Sequence, residues 1–211
     1  MLDAARASGA WLMVAHCWRF RTEVIALRDR IASGALGEVV KTRGYGAHER
    51  WGPTGWFTDR ELAGGGALLD MGVHAIDTAR FLLGDPEPGR VCAAVGTRYA
   101  EGRYEVDDDA ILLIGWDNGT NSLVESGWWQ SRIGGLEADT EVYGTKGYER
   151  IWPDTPPSED YEHCTQPMYS AQVAEFLDSV SEGRQPRPSG EDGRTVMQIV
   201  DAAYASARDA G

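Results

Sequence analysis

The stretch AGGGALLDMGVHAID, residues 63–77, sets Asp70, His74 and Asp77 into a run that is otherwise small or apolar. At about 100° per residue, Asp70, His74, Asp77 and Thr78 share one stripe of a helix otherwise covered by Leu68, Leu69, Met71, Ile76, Ala79, Leu82 and Leu83. Asp70 and His74 stand four residues apart. At that spacing a carboxylate can hold one imidazole nitrogen and leave the other to exchange a proton with a ligand. Gly64 to Gly66 let another backbone or a flat ligand approach the helix start, where free N–H groups also favour negative charge. On spacing alone, a satisfied buried pair in a packed interface is the favoured reading, with the glycines making only a turn. Two ligands without a third make no metal centre, so no metal is expected.

The elements that must position this helix can be read from pattern. Residues 2–8 read as an Ala-rich helix closed by Gly9, and WLMVA (11–15) as an unalternating strand of the kind buried in parallel sheets. RTEVIALRDRIASG is an amphipathic helix with Val24, Leu27 and Ile31 on one face, Thr22 at the N-cap and Gly34 as the stop. EVVKTRGYGAH, RVCAAVGTRYA, DDAILLIGW, TNSLVESGWWQ and TEVYG read as strands joined in part by the turn signals DNG and GTKG. Helices are expected near Tyr169 to Glu182 and Asp192 to Arg208, after a Pro-rich surface loop, PDTPPSEDYEHCTQP, that carries His163 and Cys164. The resulting fold class is α+β: an open, mostly antiparallel sheet with helices on one face. WLMVA finds no parallel partner later in the chain, so residues 1–18 read as the last helix and strand of another domain, and 19–211 as the domain proper.

Bulk composition excludes several functions. With 211 residues, 42% of them hydrophobic, the chain can bury one good core. Asp and Glu number 33 against 20 Lys and Arg, and the net charge of −13 repels phosphate backbones and anionic lipid. Neither nucleic acid nor a membrane is an expected partner. Cys17, Cys92 and Cys164 are odd in number and widely spaced, which fits a reducing cytoplasm rather than a disulfide framework.

Several motifs occur together and in order: HCWRF before a helix ending SGALGEV, then GGGALLDMGVHAID, VYGTKGY and the closing EFLDSVSEGRQPRPSGEDGRTVMQIVDAAYASA. In these the chain resembles the C-terminal part of the glucose–fructose oxidoreductase, inositol dehydrogenase and MocA family from near residue 2 to its end. The resemblance implies an enzyme in which a Rossmann domain holding NAD or NADP precedes a substrate domain, residues 1–18 being the Rossmann remnant and 19–211 the substrate-binding and oligomerisation domain. It implies hydride transfer at a secondary alcohol of a sugar, inositol or related polyol, with His74 catalytic and Asp70 its proton-handling and substrate-binding partner. It further implies Arg19 near the substrate, Trp56 covering the nicotinamide side of the cleft, and a homo-oligomer built through the open sheet face. The sequence also departs from the family. No Gly-x-Gly-x-x-Gly follows a strand, no Glu-Lys-Pro supplies a lysine, and Phe57 stands where arginine is common. The chain alone is therefore expected to bind no NAD(P) and to be inactive. The rival expectation is a non-catalytic dimerisation or sugar-binding module.

Smaller expectations complete the reading. Adjacent Trp128 and Trp129 on a strand should point to opposite faces, one into the helix layer and one onto the open face. Asp107 to Asp109 read as a solvated strand start, and His16 as a structural residue.

Overall fold

A computed structural model describes residues 1–48, 52–99, 102–130, 137–152 and 161–209, the side chains of 161–165 excepted. Its centre is one mixed sheet in the order β2-β3-β4-β1-β5-β6. The strands are β1 (Val39–Ala47), β2 (Pro88–Gly96), β3 (Asp109–Trp116), β4 (Asn121–Gly127), β5 (Ala138–Gly144) and β6 (Tyr148–Arg150). Neighbours run antiparallel except β1 and β4, which pair parallel from Lys41↔Asn121 to Ala47↔Gly127. The chain leaves β1 through a helical segment on one face before laying down β2, so β1 ends between β4 and β5. The expected sheet is thus present, with one parallel seam.

Alternation on β3 shows which face is covered. Ala110, Leu112 and Ile114 are buried, and they share a core with Ile76 of α4 (Val73–Leu82) and with Val196, Ile199 and Val200 of α6 (Gly190–Asp209). Ile111 and Leu113 point the other way and are 48% and 49% exposed. A second core joins Val24 and Leu27 of α2 (Thr22–Ala32) to Trp18, Leu82, Val142, Trp152 and Met168. Arg21, not Thr22, occupies the N-cap of α2, and Gly34 turns the chain at φ +76. No helix among the described residues is long and apolar enough to cross a membrane.

Four expectations need correction. Residues 11–15 form no strand: after α1 (Leu2–Ser8) and Gly9 they carry a single bridge, Met13 to Ser189, because no strand edge lies alongside them among the described residues. Trp128 and Trp129 do not alternate across a sheet. β4 stops at Gly127, Trp129 takes φ +64, and both rings pack with Tyr104, Val106 and Ala67. Asp107 and Asp108 are buried, not solvated. The helix expected from Tyr169 begins earlier, since α5 spans Tyr161–Glu182, so His163 and Cys164 fall within it rather than in a loop.

Candidate functional site

Leu68 to Gly72 form a π-helical turn that runs directly into α4. Such wide turns recur at functional sites. The chain can enter it only through glycine: a Cβ on Gly66 would stand 1.8 Å from the Asp107 carbonyl oxygen, and one on Gly65 would stand 2.1 Å from the Tyr204 hydroxyl. The close approach these glycines permit is therefore to the protein's own backbone and side chains. Asp107 makes use of it. Its carboxylate accepts from the N–H groups of Gly66 and Leu68, both at 2.8 Å, and from the Tyr204 hydroxyl at 2.7 Å. The negative charge favoured at a helix start is thus supplied internally. On the other side a Cβ at Gly46 would meet the Met71 carbonyl oxygen at 2.3 Å, so β1 and the π turn lie in direct backbone contact.

That contact delivers a histidine that has no sequence relation to the helix. His48 follows β1, tied to the end of β4 by its N–H to the Gly127 carbonyl (2.9 Å) and by its carbonyl to the Gln130 N–H (3.0 Å). Its Nε2 lies 3.3 Å from Asp70 Oδ2, and its Nδ1 lies 2.6 Å from Glu137 Oε1. Asp70 Oδ2 also accepts from the Trp128 indole N–H at 2.9 Å. Burial alone would lower the His48 pKa, but the hydrogen bonds to Asp70 and Glu137 outweigh it and raise the pKa to about 9.

The expected Asp70–His74 hydrogen bond does not form. The π turn breaks the 100° phase, and Asp70 meets Trp128 and His48 instead. His74 lies one turn on, with Nδ1 buried and without a hydrogen-bond partner. Burial pushes its pKa down to about 4, helped by the nearby His16, while the charges of Asp77 and Asp70 act in the opposite sense. His16 stands edge-on to it with ring centroids 6.3 Å apart, and its Nε2 is 3.6 Å from Asp77. Burial also lowers the His16 pKa. At neutral pH the site therefore holds two neutral imidazoles and, at His48, one imidazolium.

Arg19 is placed differently from its expected role near substrate. Its Nε and Nη2 each donate to Asp77 at 2.7 Å, and Nη2 lies 3.0 Å from Asp85. Arg80 completes the network, with Nη1 2.9 Å from Asp192 at the start of α6. The Arg19 fork is saturated by the protein's own carboxylates, so it fixes α4 against the chain around residue 19. Trp56 is 55% exposed on a 3-10 turn, Gly55–Thr58, where it stacks on Phe57 with centroids 4.0 Å apart. Beside Leu69 and Val73 an apolar cavity of about 520 Å³ opens, also lined by Leu12, Val14, His16 and Val196. No group of three metal-ligating side chains occurs among the described residues. Sequence reasoning missed His48, Glu137 and the Trp128 N–H. The one available signal was a histidine directly after a strand rich in glycine.

Comparison with known proteins supplies the context for this geometry. The model of the GFO/IDH/MocA C-terminal domain matches residues 24–149. The chain is similar to D-glucoside 3-dehydrogenase of Escherichia coli (strain K12), 35% identical over 56% of this chain and 38% of that protein. It is similar to the rhizopine catabolism protein MocA of Rhizobium meliloti, 29% identical over 95% of this chain and 61% of that one. Among solved structures it resembles GenD2 from gentamicin A biosynthesis in complex with NAD, with a TM-score of 0.85 and 26% identity over 99% of this chain and 65% of that chain. It thus spans less than two thirds of the length of each of these proteins.

Proposed function

Because the chain belongs to the GFO/IDH/MocA family, we propose that it forms the substrate-binding and proton-transferring part of an NAD- or NADP-dependent dehydrogenase acting on a secondary hydroxyl of a sugar, inositol or related polyol. The observation that carries this reading is the His74 imidazole. It is uncharged at neutral pH, and it offers a buried nitrogen with no partner between two anchored carboxylates. A neutral imidazole can take the hydroxyl proton, and the charges of Asp77 and Asp70 stabilise the imidazolium that results. Asp70 keeps Oδ2 on Trp128 and His48, while Oδ1 has no hydrogen-bond partner among the described residues and is available to a substrate hydroxyl. A nicotinamide, when bound, supplies the hydride acceptor. The apolar cavity beside Leu69, Val73 and His16 fits a flat ring near His74, and exposed Trp56 is the candidate to cover it. A pyrophosphate would have to be held elsewhere, since this chain has no glycine-rich turn leading from a strand into a helix.

In this reading residues 1–18 belong with a dinucleotide-binding domain and 19–211 form the substrate and oligomerisation domain. The 211 residues alone bind no NAD(P) and do not turn over. The open sheet face packs against a second copy. The test joins the chain to a dinucleotide-binding domain and assays it with NAD⁺ or NADP⁺ on a panel of pyranosides and inositols. Replacing His74 by Ala should then lower turnover by about 10²–10⁴-fold at unchanged cofactor affinity. Full activity per folded molecule in His74→Ala would instead make the stripe packing and favour the non-catalytic module.

A further inference from the structure

We propose that Glu137 and His48 are positioning residues that clamp Asp70: Glu137 Oε1 anchors His48 Nδ1, His48 Nε2 reaches Asp70 Oδ2, and the Trp128 indole N–H holds that oxygen from the other side. The inference rests on the assignment of Asp70 to substrate binding, and it explains how that side chain is held. The four groups come from four places in the fold: the end of β1, the π turn, the end of β4 and the start of β5. They meet only because β1 is inserted between β4 and β5. A carboxylate that must receive a substrate hydroxyl gains from being fixed by groups that do not themselves react, since a small misplacement of a binding group costs rate or affinity.

The protonation state follows from the arrangement. An imidazole between two carboxylates donates from both nitrogens only as the imidazolium, and deprotonation turns one contact into a repulsion between lone pairs. The charged or titratable groups that face His48 among the described residues are Asp70 and Glu137, with neutral His74 behind Asp70. The first two favour the proton, and the clamp should stay closed until His48 deprotonates near pH 9. Glu137 is the member with no proposed contact to substrate, so it can be changed without touching the reacting groups.

The experiment is an imidazole-detected NMR titration of the histidine-labelled chain, which requires neither cofactor nor turnover. His48 is assigned by the signal lost in His48→Asn, and the Trp128 indole N–H is followed in the same samples. In the unmodified chain the His48 signal should stay that of an imidazolium to about pH 9, and the Trp128 N–H shift should move with it. In Glu137→Gln the His48 midpoint should fall by at least about one unit, a tenfold loss of proton affinity. Glu137→Asp should restore part of it. A His48 midpoint at its ordinary value, or one unmoved in folded Glu137→Gln, would overturn the clamp while leaving the His74 assignment intact. A failure of His74→Ala to affect turnover would do the reverse. If His48→Asn does not fold, the signal that moves in Glu137→Gln makes the assignment instead.

Discussion

His48 and His74 belong to one site, yet their proton affinities are driven in opposite directions. His48 gains two carboxylate partners and His74 gains only burial. Both shifts couple to stability. The His74 pKa falls from an ordinary 6.5 to about 4, so the folded state binds this proton less well than the unfolded chain. Its neutral fit is fully present above pH 6.5 and is lost as pH falls through 4; buried His16, lowered in the same direction, adds to that loss. The His48 pKa rises from 6.5 to about 9, and its contribution is fully present below 6.5 and lost as pH rises through 9. Thermal denaturation across pH 4–10 should therefore show maximum stability near pH 6.5. His74→Gln should flatten the acid limb and Glu137→Gln the alkaline one. A curve still rising from pH 7 to 9 would contradict the charged state of His48. At this scale the sequence is legible only where spacing is local. Asp70 and His74 stand out as polar residues on an apolar helix, whereas His48 and Glu137 are brought to Asp70 by strand order, which no spacing in the chain records.

The glycine-led helix start is the element on which the site depends. Gly66 is required because its Cα lies against the Asp107 backbone, and Asp107 in turn caps the π turn through two N–H groups. Gly66→Ala should destabilise the fold by about 1–3 kcal/mol or more through overpacking against rigid backbone. Asp107→Asn can accept only one of the two N–H bonds with its single carbonyl oxygen and should cost about 1–2 kcal/mol. Urea denaturation of the chain checks both, and an unchanged midpoint in Gly66→Ala would mean that the close approach is not rigid. Periodicity recovers most elements: β1 to β5, α2, α4 and α6 lie where alternation and apolar spacing put them. It fails where long-range pairing decides. Three consecutive aspartates look solvated until their partners Gly66, Leu68 and Tyr204 are known, and WLMVA looks like a strand although no strand edge lies beside it. Trp129 breaks alternation because its positive φ turns the chain out of β4.

For the whole molecule, one face of the sheet remains unexplained by anything the chain packs on itself. Helices cover one side, while the other presents Ile111 and Leu113 with Ala94, Cys92 and Leu123 paired beside them. Across β4 and β1 the same face turns polar, with Glu125, Arg43 and Glu141 in register, and Arg43 lies 3.4 Å from Glu125. An apolar centre edged by mixed charges on a strongly acidic protein suits a self-complementary contact, in which symmetry lets each apolar patch cover its twin. Light scattering of the purified chain should report a dimer or higher assembly. Leu113→Glu combined with Ile111→Glu should yield a monomer whose melting is little changed apart from the loss of its concentration dependence, because both side chains are already half-exposed and contribute nothing to the buried face. A monodisperse monomer at high concentration in the unmodified chain, or an assembly that survives both charges, would show that this face is covered by something other than a second copy.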